Sequence, residues 1–153
     1  MRRWPAAGCG CRQRGFVTWC RSGPPERFRV EVPAEAAIEF DPGHLNQVMW
    51  NLLRNAVRYA RAEPGAVRIA ARAAGDRVEL SVIDNGPGVP EDLRPHIFEP
   101  FVTAKPGGKG LGLALVAKIV RDHGGVVECQ ARDRGTIFRV LLPMMKEQSA
   151  ILT

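Results

Sequence analysis

The chain contains two glycine-rich stretches, Asp84-Asn85-Gly86-Pro87-Gly88 and Gly108-Lys109-Gly110-Leu111-Gly112-Leu113. The first follows an apolar run that alternates like a strand, and the second leads directly into an apolar run with helical spacing. Glycine lets the backbone approach a ligand closely, and the exposed N–H groups at the start of a helix favour phosphate. The two stretches together predict a nucleotide-binding domain built from strands and helices.

A long helix is predicted upstream of both stretches, from Asp41 to about Ala60. Aspartate is a good cap for the first free N–H groups, and Pro42 loses no hydrogen bond at the first helical position. Apolar residues group on one side of this helix and polar residues on the other, so the apolar side is expected to pack on a sheet. The apolar side holds Leu45, Met49, Leu52, Leu53 and Ala56, and the polar side holds Gln47, Asn51, Asn55 and Arg58.

The remaining patterns predict strands and a second helix. We expect strands at 67–71, 78–83, 126–131 and 136–142, two short ones around Phe28 to Val32 and around Ile38 and Phe40, and a helix at 110–123. Residues 85–109 are rich in proline, with a short helical stretch near 92–98, which is typical of a functional lid. The predicted fold is a two-layer α/β sandwich, a mixed sheet covered on one face by helices.

The net charge of +6 is confined to the front of the chain. Residues 1–29 hold seven arginines and one acid, whereas residues 30–153 hold fifteen basic and fifteen acidic side chains. A nucleic-acid-binding surface is therefore disfavoured. We predict a basic, disordered lead at 1–25, one domain at 26–144 and a frayed tail at 145–153.

The cysteines favour a reducing, cytoplasmic location. Cys9, Cys11 and Cys20 cluster in the lead and Cys129 stands alone, which gives neither an even disulfide framework nor paired zinc-ligand spacings. No apolar run approaches the roughly 20 residues of a membrane span. Membrane attachment is expected only through regions that precede this chain.

The polar helix face is a candidate magnesium site. Asn51 and Asn55 lie four residues apart, so their amides lie on one face with Arg58 beside them. Amide oxygens suit an Mg²⁺ ion that keeps several waters and shares its other positions with phosphates. The alternative is a solvated helix surface with no ligand.

Each glycine stretch also has a structural alternative. Asp84, placed after a strand, could accept hydrogen bonds from an adenine amine, but Asn-Gly-Pro-Gly is also a strong turn former by itself. The second stretch is either a phosphate loop or a linker before an ordinary helix. It lacks the P-loop spacing, and no dinucleotide-binding glycine motif follows a strand.

Taken in order, the motifs resemble the catalytic ATP-binding domain of bacterial sensor histidine kinases, within the superfamily of gyrase, chaperone, kinase and mismatch-repair ATPases. The resemblance covers about residues 26–143, and a weaker one points to nitrogen-regulation and pilus-type sensors. Its five motifs are Asn51-Leu52-Leu53-Arg54-Asn55-Ala56-Val57-Arg58-Tyr59 (N box), Asp84 to Gly88 (first glycine box), Phe98-Glu99-Pro100-Phe101 (F box), Gly108 to Leu113 (second glycine box) and Gly135-Thr136.

The resemblance implies ATP and Mg²⁺ as cofactors and a role for each matched residue. Asn55 would ligate Mg²⁺ with Asn51 assisting, Arg58 would approach the phosphates, and Tyr59 would lie along the adenine. Asp84 would recognise the adenine by accepting a hydrogen bond from its amine, with support from the Thr136 hydroxyl. The residues expected to contact the nucleotide also include Gly86, Gly88, Phe98, Phe101, Thr103, Lys105, Gly108, Lys109, Gly110, Leu111, Gly112 and Leu113, with residues 98–109 as the lid.

One position favours histidine as the phosphate acceptor. Hydrolysing relatives and anti-sigma serine kinases resemble each other in having a glutamate base where this chain has Asn51. An amide cannot deprotonate water or serine, whereas a neutral imidazole is already nucleophilic and needs mainly positioning and charge neutralisation. The expected activity is therefore phosphotransfer from ATP to histidine, catalysed by Asn51, Asn55 and Arg58.

The acceptor histidine is expected on another polypeptide segment. Sensor kinases carry it in a dimerising helical hairpin, which this sequence does not contain, and the phosphate then passes to a response regulator. His44, His96 and His123 lack the acceptor context and are assigned surface or capping roles. The alternatives are an anti-sigma-factor-like serine kinase and a nucleotide-binding fragment without turnover.

Overall fold

The computed structural model describes residues 27–31, 40–103 and 110–144. In chain order the elements are β1 (Phe28–Glu31), α1 (Pro42–Tyr59), β2 (Val67–Ala74), β3 (Arg77–Asp84), a 3₁₀ turn (Arg94–His96), α2 (Gly112–Asp122), β4 (Val126–Ala131) and β5 (Thr136–Pro143). No helix in these ranges is long and apolar enough to cross a bilayer.

The strands form one mixed sheet in the order β1-β2-β3-β5-β4. β1 runs parallel to β2, and the other neighbours are antiparallel. Every second residue of β5 is buried, as the period of two in a strand requires when one face meets a core. Both helices contribute to that core, so the predicted two-layer sandwich is confirmed.

Helix α1 begins and ends as its sequence predicts. The Asp41 side chain accepts a hydrogen bond from the His44 N–H at 2.9 Å, with Pro42 as the first helical residue. Its buried side includes Val48 and Leu52, which are fully inaccessible to solvent. Because that side is fixed against the sheet, Asn51 on the polar side is left close to Gly112 at the start of α2.

One detail of the predicted pattern was wrong. Phe40 does not lie in a strand; it precedes α1, and its ring stacks on His123 at 3.9 Å between centroids. Leu111 and Leu115, near the start of α2, are 45% and 40% exposed. Ile38 lies outside the described residues.

Candidate functional site

A cleft of about 730 Å³ opens between α1, the ends of β3 and β5, and the start of α2. Asp84, Thr136 and Phe138 form what we call its deep end, and Asn55, Arg58, Gly110 and Leu111 form its open end. The residues that the sequence predicts for the site and that line the cleft are Asn51, Asn55, Arg58, Tyr59, Asp84, Gly88, Thr103, Gly110, Leu111, Gly112, Leu113 and Thr136.

Asp84 is the buried carboxylate of the deep end, with only 4% of its surface exposed. It ends β3 opposite Thr136 of β5, and its Oδ1 accepts the Gly86 N–H at 2.9 Å. Burial raises the pKa of Asp84, while the backbone N–H groups of Gly86 and Thr136 and the charge of Arg132 oppose that rise. A carboxylate has about four acceptor positions, so Asp84 can still accept from a ligand.

Two glycines allow the backbone to close around Asp84. A Cβ on Gly135 would lie 1.8 Å from the Asp84 carbonyl oxygen, and Gly135 has φ of 109°. A Cβ on Gly86 would lie 2.4 Å from the Tyr59 carbonyl oxygen. Any side chain at either position would collide with backbone, so both turns require glycine.

The walls near Asp84 are apolar. Phe138 lines the cleft, and the ring of Phe98 meets it edge to face, with 6.2 Å between centroids. Phe98 thus supports the cleft without lining it. An apolar slot with one buried carboxylate at its end suits a flat ring that carries an amine. The other apolar residues of this wall are Val89, Leu93 and Ile97.

The amides of α1 reach the open end. Asn51 Nδ2 donates to the Gln47 carbonyl oxygen at 3.0 Å, which turns Oδ1 toward Gly112, the first residue of α2. Within the described ranges, the side chains of Asn55 and Arg58 make no hydrogen bond or ion pair. The amide oxygens of Asn51 and Asn55 and the guanidinium of Arg58 therefore face the cleft without a hydrogen-bond partner among the described residues.

These donors fit Mg²⁺ better than a softer metal. The described part of the chain has no group of three or more His, Cys, Asp or Glu residues that could hold an ion, so a transition-metal centre gains no support there. Amide oxygens and waters are ligands that Mg²⁺ accepts when a substrate phosphate supplies the rest. The donor set of Asn51 and Asn55 therefore fits that ion.

The start of α2 can receive an anion. Leu111 occupies the capping position without a side-chain hydrogen bond, and the first turn carries no acidic residue. The first N–H groups of a helix have no partner inside the helix, and the helix dipole makes this end positive. Gly110, Leu111 and Gly112 bring this end to the cleft wall.

The two ends of the predicted lid meet at the cleft mouth. The Phe101 N–H donates to the Gly110 carbonyl oxygen at 3.0 Å. Phe101 itself does not line the cleft, and its side chain is 78% exposed; its contact with the nucleotide stays a prediction. Lys105, Gly108 and Lys109 lie outside the described residues, so their predicted contacts stay predictions.

A family model described as "Histidine kinase-, DNA gyrase B-, and HSP90-like ATPase" matches residues 40–146. The chain belongs to this family. The predicted family is thereby confirmed, and its shared ATP-binding domain accounts for the cleft between α1, β3 and α2.

Relatives of this ATPase domain include sensory histidine kinases. The chain is 41% identical over 132 residues to the sensory histidine kinase/phosphatase NtrB of Rhizobium leguminosarum bv. phaseoli, a match that covers 76% of this chain and 34% of that protein. It is 38% identical to the nitrogen regulation protein NtrY of Azorhizobium caulinodans, over 84% of this chain and 18% of that protein. The predicted likeness to nitrogen-regulation sensors is confirmed, and the chain spans about a third or less of the length of these relatives.

Solved structures agree with the fold. The catalytic domain of histidine kinase ThkA superimposes with a TM-score of 0.73 at 31% identity, over 86% of this chain and 88% of that one. Full-length ShkA in complex with AMPPNP gives a TM-score of 0.75 at 30% identity, over 95% of this chain and 32% of that one. AMPPNP is an ATP analogue, so ShkA binds a nucleotide of the expected class.

Sequence reasoning missed one charged residue of this ATPase cleft. Arg54 lines it, and in the described ranges its side chain has no hydrogen bond or ion pair. Arg54 lies three residues after Asn51 and four before Arg58, so helical spacing alone could have found it. The apolar wall residues gave no comparable signal, because only the tertiary fold brings them together.

The three histidines lie away from the cleft lining. His44 lies in the first turn of α1, where its backbone N–H donates to the capping Asp41 side chain, and its ring approaches that of His123 at 3.5 Å between ring nitrogens. His123 also bonds the Ile119 carbonyl oxygen at the end of α2. His96 pairs with Glu99 at 2.9 Å. Their surface and capping positions agree with the expectation that none is the acceptor.

Proposed function

We propose that this chain is the ATP-binding catalytic portion of a sensor histidine kinase, which transfers the γ-phosphoryl group of ATP to a histidine on a separate phosphoacceptor hairpin. The observation that carries the proposal is the cleft itself. It joins a buried carboxylate at Asp84 to two amides, Asn51 and Asn55, and to an uncapped helix start at Gly112.

ATP fits this cleft in one direction. Its adenine would enter the apolar deep end, where Asp84 accepts from the exocyclic amine and Thr136 supports that contact. The phosphates would then lie at the open end, toward the first N–H groups of α2 and the cation of Arg58. Tyr59, 43% exposed at the end of α1, would lie along the base between these two regions.

Asn55, assisted by Asn51, would hold Mg²⁺ against the phosphates. The ion, when bound, neutralises charge on the phosphates. The chain's own contribution is to orient the triphosphate with Arg58 and the start of α2, and to exclude water from the adenine with Phe138 and the walls around it.

The chemistry needs no base from this chain. The lone pair of a neutral imidazole nitrogen attacks the γ-phosphorus, the bond from that phosphorus to the β,γ-bridging oxygen breaks, and ADP leaves with the electron pair. At the place where a serine kinase needs a carboxylate, α1 offers Asn51, an amide that cannot take a proton at neutral pH. This favours histidine over serine or water as acceptor.

The partners follow from this reaction. The acceptor hairpin would dock near the open end, and an aspartate of a response regulator would take the phosphate from it. The reducing cytoplasm suggested by the cysteines is the proposed place of action, with any membrane anchor in segments outside this chain. The chain alone would bind ATP and turn it over very slowly.

The test is phosphotransfer to a supplied acceptor. The purified chain is mixed with Mg²⁺, γ-labelled ATP and a purified phosphoacceptor hairpin from an NtrB-type sensor. The expected product is label on the hairpin that is lost in acid and kept in base, as a phosphohistidine is. Asn55→Ala should lower this transfer at least about 100-fold, because an enzyme group that acts on the transferred phosphoryl carries several kcal/mol.

The matched control is Asn46→Ala, an exposed asparagine of α1 that does not line the cleft. It should leave transfer within about twofold of the parent, as surface substitutions do. Acid-stable label would identify a serine kinase. ATP binding without transfer would identify a fragment without turnover, and transfer that survives Asn55→Ala would overturn the proposal.

A further inference from the structure

Both polar atoms of the Asn85 side chain form hydrogen bonds with the connection between α1 and β2. Its Oδ1 accepts the Arg61 N–H at 2.9 Å, and its Nδ2 donates to Glu63 Oε1. Its backbone N–H also donates to the Ala66 carbonyl oxygen at 3.2 Å. One residue therefore fixes the start, middle and end of this connection.

The same connection carries one end of the nucleotide cleft. Tyr59, the last residue of α1, lines the cleft, and its carbonyl oxygen lies so close to Gly86 that a Cβ there would come within 2.4 Å. Arg58 precedes it, and Asp84 directly precedes Asn85. The contacts of Asn85 thus join the residues on α1 to those on β3.

A second side chain holds the connection from the other side. Arg27 Nη2 lies 3.2 Å from the Arg61 carbonyl oxygen and 3.4 Å from that of Ala60. An arginine at the carbonyl end of a helix satisfies groups that have no partner inside the helix. Arg27 fixes the carbonyls but cannot place the Arg61 N–H, which only Asn85 binds in this set of contacts.

We propose that Asn85 is a positioning residue for nucleotide binding: it holds the end of α1, with Arg58 and Tyr59, at a fixed distance from Asp84. Asn85 does not line the cleft, so it acts through its neighbours. This inference rests on the proposed function, since it concerns the ATP site. Without Asn85 the two walls would have to be brought together by the ligand itself, which weakens binding.

The chemistry of the Asn85–Glu63 contact permits an exchange test. Asn85→Asp keeps the acceptor for the Arg61 N–H but places a second carboxylate against Glu63, and like charges at contact repel. Glu63→Gln in the same chain restores a donor opposite the new carboxylate. The exchanged pair therefore keeps the hydrogen bond from the Arg61 N–H and makes the second one with donor and acceptor reversed.

The experiment measures Mg-ATP affinity of the full 153-residue chain by calorimetry at pH 8. We expect Asn85→Asp to weaken binding about tenfold, the size of an unfavourable contact to a charged group, and the Asn85→Asp/Glu63→Gln chain to return within about threefold of the parent. Glu63→Gln alone still accepts from Asn85 and should bind within about twofold. Asn46→Asp, on the exposed surface of α1, is the matched control.

Two further measurements separate positioning from folding. In transfer to the supplied hairpin, Asn85→Asp should raise KM for ATP by a larger factor than it lowers kcat, because Arg58 and Tyr59 are displaced whereas Asn55 and the start of α2 are untouched. Glu63 is exposed, so Glu63→Ala provides a folded variant if Asn85→Asp does not fold, and it should weaken binding about threefold to fivefold.

The outcomes are distinct. A parent chain that binds no ATP contradicts the proposed function. If the parent binds ATP, any one of three results overturns the role of Asn85. These are an unchanged affinity in Asn85→Asp, no recovery of affinity in the exchanged pair, and an unchanged affinity in a folded Glu63→Ala chain. Recovery of affinity in the exchanged pair supports it.

Discussion

The deep and open ends of the cleft differ in how far the protein has organised them before a ligand arrives. At the deep end, Asp84 and Thr136 are each 4% exposed and pair across neighbouring strands. At the open end, Leu111 is 45% exposed, and Asn55 and Arg58 have no side-chain partner in the described ranges.

This difference has a physical cause. The deep end lies on the sheet, where ladder hydrogen bonds and apolar burial hold each atom from two sides. The open end consists of a helix face and a helix start, whose polar groups face the cleft and are available to bind a ligand. We infer that the deep end sets which base binds, whereas the open end gains its order from the phosphates.

The largest expected effect tests the rigidity of the deep end. Gly135→Ala should lower the free energy of unfolding by about 4 kcal/mol, because its Cβ would lie 1.8 Å from the Asp84 carbonyl oxygen and such a collision moves both strands. Urea unfolding measures it. Gly75→Ala is the control: Gly75 also has positive φ but has open space around it, so it should cost only about 1 kcal/mol. Equal losses would contradict the argument from crowding.

The second prediction compares two phenylalanines of one motif. Phe98 packs on Phe138 and the core, whereas Phe101 is 78% exposed at the open end. Phe98→Ala should therefore lower the free energy of unfolding by about 2 kcal/mol, and Phe101→Ala should change it by less than about 0.5 kcal/mol. Thermal and urea unfolding of both variants check this contrast, and a larger loss from Phe101→Ala would reverse it.

The third prediction concerns pH and Asp84. Asp84→Asn should weaken ATP binding about 10- to 100-fold at pH 8, the range for a hydrogen bond to a charged group. Burial raises the pKa of Asp84, and the ionised carboxylate is a stronger acceptor for an amine than either the protonated carboxyl or an amide. The advantage of the parent over Asp84→Asn should therefore shrink as pH falls through that raised pKa.

Calorimetry of both chains from pH 8 down to the lowest pH at which both stay folded tests this, because the titration of ATP itself affects both chains equally. The effect on folding has the opposite sign. The folded state holds the Asp84 proton more tightly than the unfolded state, so the parent gains stability as pH falls from the folded pKa to the unfolded one. Asp84→Asn should lack that gain, and a parallel pH dependence of the two chains would contradict the assignment. Asp133→Asn, an exposed neighbour in the β4–β5 turn, is the control.

Sequence reasoning found the elements because their signals are local. The Asp41-Pro42 cap, the alternation in β3 and β5, and the glycines after α2 each act within a few residues. It placed Leu111 at the nucleotide through the motif, but it could not find that Leu115 lines the cleft, because the spacing of Leu115 matches a buried stripe equally well. The prediction that Phe101 contacts the nucleotide rests on the F box motif alone.

The sequence by itself determined the family, the polar face of α1 and the residue types at the cleft. The hydrophobic period, the helix caps and the order of the motifs are all properties of the amino-acid sequence alone. Only the tertiary structure decided that Asn85 spans from β3 to the end of α1, that Gly135 touches Asp84, and that Ile97 and Phe138 share the cleft. These facts depend on contacts between residues more than 20 positions apart or on which side of a helix a neighbour covers, and no local pattern encodes either.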